Sequence, residues 1–553
     1  MKPMFSADSL KLSAKRSSAF AIDFIACFLI IVSHFTNYII YAGYSKLVPD
    51  IALIIGVLFC VSLFLAAVLA VRLFLIRLLV YAMLITIVLS DAVYEYGTAD
   101  TSIRLIAMSL TLATSLALVF FLREHINKVL IGVFAAMLIS TVGVSAYEKG
   151  FSDPLSPNEP RAPSAKPDIV HIILDEHMAP GGLSTGFPGG AAVQKELRNF
   201  YQDAGFRLFE QSYSQYFKTS LSLASALNFD ATGGPQKYLY AKRYGFNLKK
   251  NAYFDQLADN GYRIRVFQSN YFDFCAEPKQ SIESCEEYRP DNIHFQAVAG
   301  LKAFERAKLI LNMYYSSFAV VKLLKLGEKP ASMRWLAQQG IAPLRLGLWH
   351  GRVGPLAVSP VLDKLAAELA TSSGGTVYFA HLLLPHYPYV YESNCAVRSP
   401  ISSWKLRYLP DETNTPASRQ ERYKAYFDQL RCTMQKIGTL FEVLKGNGRF
   451  EETTFIIHGD HGSRINLFEP SAANAAAMQR EDFIDAYSTL FALKAPNIPA
   501  GADPRMLALP QLFRYAASGD PAALSKKVPT VIYLADEDEG FVAVPIPEFA
   551  NDD

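Results

Sequence analysis

The segment His458-Gly459-Asp460-His461-Gly462-Ser463-Arg464 packs two imidazoles, a carboxylate and a guanidinium into seven residues. Asp460 and His461, side by side, offer a hard oxygen and an imidazole nitrogen to one divalent cation. The flanking glycines permit a tight turn and a close approach of backbone. Arg464 presents a planar fork suited to phosphate or sulfate oxygens, and His458 is a further candidate for touching substrate. A second segment is Leu174-Asp175-Glu176-His177. Asp175 ends an apolar run, where a carboxylate is well held and partly desolvated, as a metal ligand should be; the same position also suits a helix N-cap. Glu176 and His177 are candidates for supporting the site or contacting substrate. The third segment runs from His381 through Pro385-His386-Tyr387-Pro388 to Tyr389. His386 lies between prolines that fix the backbone, and it is a candidate for contacting substrate or protonating a leaving group. His381, inside the apolar run, reads as a hydrogen-bonded core residue.

These groups can act together only if the chain brings them to one place. Each segment follows or ends an apolar run that reads as a buried strand: Asp168–Leu174, Thr453–Ile457 and Val377–Leu384. Tyr262–Gln268 reads as another strand and Ala192–Ala204 as a helix. Strands alternating with helices predict an α/β domain with a mainly parallel central sheet. Ligands of such sheets gather at the carboxyl ends of the strands, where all three segments fall.

The N-terminal quarter is different. Five apolar runs, Ala19–Tyr41, Ile51–Val71, Leu73–Val93, Ser102–Leu122 and Ile126–Ala146, each approach the ~20 residues that cross a hydrocarbon core. Asp23 and His34, inside the first run, are expected to face other helices. Lys2, Lys11, Lys15, Arg16, Arg72, Arg77, Arg123 and Lys128 fall on one set of loops; the other set carries Asp50, Asp91, Glu95 and Asp100 with Lys46 as its one basic residue. The positive-inside rule then predicts a cytoplasmic N-terminus in a multi-pass chain of the cytoplasmic (inner) membrane. Five crossings place everything after Glu148 outside the cytoplasm, in the periplasm or beyond; Arg77 interrupts the third run, and losing that crossing would reverse the outcome. The expected organisation is a five-helix transmembrane anchor over 1–148, a proline-rich linker over 149–166 and an α/β domain over 167–553.

Composition agrees with membrane content: 51% of residues are hydrophobic, 19% are charged and the mean hydropathy is +0.15. This rules out a disordered chain. A net charge of +2 gives no basic excess of the kind nucleic-acid binding needs. Cys275, Cys285, Cys395 and Cys432 lie beyond the linker; neighbours in sequence suggest the pairs Cys275–Cys285 and Cys395–Cys432, since an exported domain is oxidising. Leu301–Leu326, with Trp335 and Trp349 nearby, reads either as an amphipathic helix on the membrane or as a helix packed on the domain's own sheet.

Taken together, the Asp175 strand end, the Pro-His386-Tyr-Pro-Tyr segment and the Gly-Asp460-His461-Gly turn resemble the alkaline phosphatase superfamily. Within it they are most similar to the membrane-anchored sulfatase-like branch, which includes lipoteichoic acid synthases and lipid A phosphoethanolamine transferases. The resemblance covers roughly 168–500 and extends to the five-helix anchor. It implies a metal-bound nucleophile between the first two segments. True sulfatases make theirs from Cys or Ser within C/S-x-P-x-R, which is absent here; the transferases use Thr. Tyr216-Phe217-Lys218-Thr219-Ser220-Leu221 resembles their nucleophile turn, and Leu221–Leu227 reads as a helix just after it. Thr219 would then lie at a helix N-terminus, where N–H groups and the dipole favour an anion; Ser220 is the fallback, and a plain helix cap the simpler role.

The resemblance therefore implies one divalent metal held by Asp175, Thr219, Asp460 and His461, with His386 as the substrate or leaving-group histidine. Three oxygens and one nitrogen suit Mn²⁺ or Zn²⁺ better than Mg²⁺. The transferases carry Glu where Asp175 stands, which shifts the expected metal position, and ligands for a second or third metal are not evident. The implied activity is transfer of a phosphoglycerol- or phosphoethanolamine-type group from a membrane lipid to an envelope glycan or lipid. A hydrolase of a phosphodiester or sulfate ester, and a non-catalytic scaffold or sensor, are the alternatives.

Overall fold

The computed structural model describes residues 7–41, 49–71, 73–96, 101–151, 166–242, 245–277, 281–289, 295–318, 353–407, 414–525, 528–536 and 540–549. The chain forms two compact units. One holds residues 1–159 with 302–352, the other 160–301 with 353–553.

The first unit contains helices α1 (Ala7–Tyr41), α2 (Pro49–Leu69), α3 (Phe74–Tyr96), α4 (Thr101–Phe121) and α5 (Ile126–Phe151). All five expected apolar runs are helical. Over Ser17–Ile40 of α1 and across α2 they are long and apolar enough to cross a membrane; the apolar stretches of α3, α4 and α5 are shorter. The polar residues inside these runs pair with one another. Buried Asp23 takes hydrogen bonds from Arg77 at 3.2 Å, Tyr81 at 2.8 Å and Asn127. Arg77 thus meets a carboxylate inside the bundle instead of breaking the third run. His34 Nδ1 lies 2.9 Å from the Tyr314 hydroxyl.

Tyr314 belongs to a helix over Ala303–Ser317. The helix does not pack on the sheet of its own domain; it joins the first unit and packs on α2, clamped by the buried Asp50 carboxylate, which accepts from Arg306 at 2.7 and 3.1 Å. The expected domain boundary at 167 therefore does not capture a segment that returns to the anchor from far along the chain. Most of the linker, residues 319–326, Trp335 and Trp349 lie outside the described residues.

The second unit is built on an eight-stranded sheet: β1 (Ile169–Leu174), β2 (Arg207–Tyr213), β3 (Arg263–Ser269), β4 (Ile282–Tyr288), β5 (Thr376–Leu382), β6 (Thr454–Gly459), β7 (Phe491–Lys494) and β8 (Gly501–Ala508). Their spatial order is β8-β2-β7-β6-β1-β5-β3-β4. β7 runs antiparallel to both its neighbours; the other pairings are parallel. The central strands are almost wholly apolar because both faces are covered; His171, His381 and His458 are the exceptions on the three middle strands. Ile456 points into a core with Ile173, Phe379 and Phe491 and helix α7 (Thr219–Leu227). Its neighbour Phe455 points the other way, against Phe206 and Phe441, as the two-residue strand period requires. On that side α6 (Gly190–Asp203) packs on α8 (Pro416–Gly446). The disulfides Cys275–Cys285 and Cys395–Cys432 are both present.

Candidate metal centre and active site

β1 lies between β5 and β6, and its last residue, Leu174, is in register with both Leu382 and Gly459. Asp175 and Asp460 are the next residues on adjacent parallel strands, so the topology places two carboxylates side by side at the carboxyl edge of the sheet. Both residues are buried, and Asp175 Oδ1 and Asp460 Oδ2 have no hydrogen-bond partner among the described residues. His461 Nδ1 donates to the Gly462 carbonyl at 2.9 Å, which leaves the Nε2 lone pair facing inward. Nε2 sits 3.1 Å from Asp460 Oδ2, 3.8 Å from Asp175 Oδ1 and 3.1 Å from Thr219 Oγ1. One ligand atom each from Asp175, Asp460 and His461 lie within 4.8 Å of one another.

Electrostatics asks for a cation here. Burial and the facing Asp175 push the Asp460 carboxyl up to about 7. Burial likewise raises Asp175, while burial, reinforced by Arg464, holds His461 well below the usual imidazole range. Two orphaned carboxylate oxygens facing an unprotonated imidazole nitrogen are costly alone and are the donor set of a divalent metal. The residues present therefore fit the cation the sequence implies.

Thr219 reaches this group from α7. The helix begins at Thr219, two residues earlier than expected, and Lys218 is its N-cap. The Thr219 side chain makes no capping bond; its hydroxyl points at His461, which settles the simpler helix-cap role against it. Ser222 ties α7 to the turn by donating to the Asp460 carbonyl, and Ser214 donates to Ser222 at 2.7 Å. Gly459 and Gly462 let the turn pass through packed backbone: a Cβ on Gly462 would lie 2.2 Å from the Asp485 carbonyl oxygen, and one on Gly459 2.3 Å from that of His177. Gly462→Ala is expected to cost about 2 kcal/mol of stability or more and to pull His461 off its neighbours. Urea unfolding together with a metal titration measures both effects.

Glu176 occupies a left-handed backbone position with φ +68°. Its N–H donates to Asp460 Oδ1 at 3.1 Å and its carbonyl accepts from the Tyr426 hydroxyl at 2.7 Å. Its carboxylate accepts from Arg407, from Arg464 at 3.0 Å and from the Tyr387 N–H at 3.2 Å, with His386 Nε2 at 3.7 Å. Burial alone would raise this carboxyl; His386 and the two guanidiniums outweigh it and hold it below the ordinary 4.5. The pairing therefore adds stability above that pH and loses it as pH falls through the lowered value. Glu176→Gln leaves two partly buried guanidiniums without a counter-charge and should cost roughly 3 kcal/mol, read as a lower urea midpoint at neutral pH that converges on wild type in acid.

The structure brings Asp175, Thr219, Asp460, His461, His386 and Arg464 to one strand-end cluster. His386 Nδ1 donates to the Tyr387 carbonyl, which frees Nε2 beside Glu176. Burial holds His386 below the usual value, against the pull of Glu176 and Asp175. Three placements differ from expectation. His458 does not touch this group: β6 continues two residues past Ile457, so its ring enters the core, 2.9 Å from His171 Nε2 and against Phe491 and Phe513. His177 is wholly buried, its Nδ1 donating to the Met178 carbonyl, and no described contact joins it to the metal-binding residues. His381, read as a hydrogen-bonded core residue, has no hydrogen bond at either ring nitrogen and turns Nε2 to 3.4 Å from Asp175 Oδ2. Its register with Ile173, two residues before Asp175, places it there. Arg407, stacked on Tyr387 with 4.4 Å to the ring centre, was not foreseen at all; no sequence pattern marks it.

The fold is an α/β domain with a mainly parallel central sheet, and the residues at its strand ends fit a divalent cation. A family model for sulfatases matches residues 167–492, and the chain belongs to that family. No curated protein matches the chain. Solved structures similar to it include the lipoteichoic acid synthase LtaP from Listeria monocytogenes, at 12% identity and TM-score 0.37 over 69% of this chain and 86% of that one. The C-terminal periplasmic domain of EptC from Escherichia coli, also known in complex with Zn, gives 12% and 0.38 over 69% and 93%. The phosphonate monoester hydrolase of Agrobacterium radiobacter gives 11% and 0.38 over 67% and 80%.

Proposed function

We propose that this protein is a membrane-anchored, metal-dependent transferase that moves a phosphoryl-linked headgroup, of phosphoglycerol or phosphoethanolamine type, from a membrane lipid to an acceptor hydroxyl on an envelope glycan or lipid. The observation that carries this reading is the Thr219 hydroxyl, 3.1 Å from His461 Nε2 and beside the orphaned Asp175 and Asp460 oxygens, in a chain without the formylglycine sequence of true sulfatases.

Asp175, Asp460, His461 and the Thr219 oxygen would hold one divalent cation, Mn²⁺ or Zn²⁺ by donor set. When bound, it lowers the pKa of the threonine hydroxyl and offsets charge on the transferred group. Thr219 Oγ1 attacks phosphorus, forming an O–P bond as the bond to the lipid oxygen breaks. His386 Nε2 takes the proton that leaves Thr219 and gives it to the lipid oxygen, which departs as an alcohol; Nε2 then takes the proton of the acceptor hydroxyl as that oxygen attacks phosphorus, and returns it to Thr219 Oγ1 as the Oγ1–phosphorus bond breaks. The first turn of α7 and the Arg464 guanidinium face the developing negative charge. Arg407, stacked on Tyr387, closes the other side.

The multi-pass placement is part of this proposal: helices α1 to α5 cross the inner membrane, the N-terminus is cytoplasmic and the second unit lies outside. The loop charges and the two disulfides of the second unit support it. The test is the intact mass of the detergent-purified chain after incubation with Mn²⁺ and phosphatidylglycerol or phosphatidylethanolamine, without acceptor. A covalent adduct, mapped to Thr219, carries the mass of the transferred group. Release of free headgroup at the same rate with and without acceptor hydroxyl would establish a hydrolase instead.

A further inference from the structure

The first unit contains a cavity of about 660 Å³ unrelated to the Thr219 site, walled by α1, α2, α3 and the Ala303–Ser317 helix. Its volume falls within the ~300–1,000 Å³ of small-ligand sites. The three long helices contribute apolar side chains such as Ile31, Val57, Val61, Leu84 and Val88. The Ala303–Ser317 helix contributes Phe304, Lys308, Leu311, Asn312 and Tyr315, spaced as one helical face. Tyr314 and His34, whose hydroxyl and Nδ1 lie 2.9 Å apart, line the cavity as well, while Ile310 and Met313 are packed away.

Three features say what fills this groove. Phe304 is 69% exposed and Tyr315 45%, so the open face of the helix is aromatic and apolar; such a face fits lipid, not water, and Tyr and Lys are interfacial anchors. Lys308 stands on that face and makes no ion pair among the described residues. Asn312 is buried, and its Oδ1 has no hydrogen-bond partner among the described residues. A buried amide oxygen without a donor is costly, and this one lines the cavity. An apolar cavity lined also by Lys308 and by an amide oxygen without a donor among the described residues complements a molecule with a long hydrocarbon chain, an anionic phosphate and a hydroxyl or ammonium donor.

We propose that this groove is a binding site for one glycerophospholipid. One acyl chain lies between α1, α2, α3 and the Ala303–Ser317 helix, the phosphate pairs with Lys308, and a donor of the headgroup satisfies Asn312 Oδ1. The Asp50–Arg306 ion pair holds the helix on α2, so the wall is fixed before the lipid arrives. The proposal rests on the membrane placement of the first unit and not on the chemistry at Thr219.

The full chain, reconstituted in nanodiscs of phosphatidylglycerol, phosphatidylethanolamine or phosphatidylcholine and then stripped with mild detergent, is read by native mass spectrometry. Wild type is expected to keep one lipid per chain from the first two and several-fold less from phosphatidylcholine, whose head has no donor. Lys308→Gln is expected to lower retention about tenfold, Asn312→Leu to erase the preference over phosphatidylcholine, and Val61→Trp with Leu311→Trp to abolish retention. A wild-type chain that enters nanodiscs but strips bare would overturn the site, as would equal retention in wild type and Lys308→Gln. A chain that does not enter nanodiscs would instead refute the membrane placement. None of these readouts involves turnover.

Discussion

A Thr219→Ala chain loses headgroup transfer by on the order of 10⁴-fold or more, the scale of deleting a nucleophile that acts as one unit with its neighbours. The loss is in kcat, because substrate is still held by the arginines and the metal site. Thr219→Ser, which keeps an oxygen on the first turn of α7, retains a measurable part of the activity. The fold survives both changes: Thr219 lies at the start of its helix, is not its cap, and loses only one methyl and one hydroxyl from a polar site. Rates of headgroup release with each variant, beside a circular dichroism melt, test this. Wild-type rates in the alanine variant would move the nucleophile to Ser220, one residue further into the same turn.

Removing the cation has the second large effect. Chelation should abolish turnover, and added Mn²⁺ or Zn²⁺ should restore it. Asp460→Asn should weaken metal binding at least ~100-fold, since losing even an outer-shell partner of a ligand costs ~10–100-fold. Stability responds as well. At free metal ~1,000-fold above Kd, the cation adds about 4 kcal/mol. The pH dependence has a definite sign. In the stripped chain the Asp460 carboxyl lies above its ordinary 3.8, at about 7. The folded state then holds a proton that the unfolded state has released, so the stripped chain loses stability as pH rises between those values. The gap between loaded and stripped melting temperatures should therefore widen over the same window. Calorimetry at pH 5, 6 and 7 checks it; a constant gap would mean that the two carboxylates are not forced together as described.

The sheet was legible because its central strands are short, mainly apolar runs, as burial on both faces favours. Asp175 and Asp460 were legible for a related reason: a carboxylate directly after such a run has little choice but the strand's carboxyl end. The helices of the first unit announced themselves by length and hydropathy. Boundaries were the weak point, and one of them changed a role. Two further residues of β6 carried His458 from a presumed substrate turn into the core, since strand residues alternate faces whatever their chemistry.

Residue types and their order along the chain by themselves determined an α/β domain behind a set of apolar helices, a strand-end cluster with one carboxylate–imidazole pair, and a threonine just ahead of a helix. The tertiary structure alone decided which groups meet. Register between β1 and β5 turned His381 toward Asp175; Arg407, with no motif around it, arrived 231 residues downstream at Glu176; and the Ala303–Ser317 helix returned to the anchor through Asp50 and Arg306. Each of these is a long-range contact. Local sequence fixes the conformation of a few neighbouring residues, but strand order and chain return are set by burying apolar area and pairing buried charges across the whole fold.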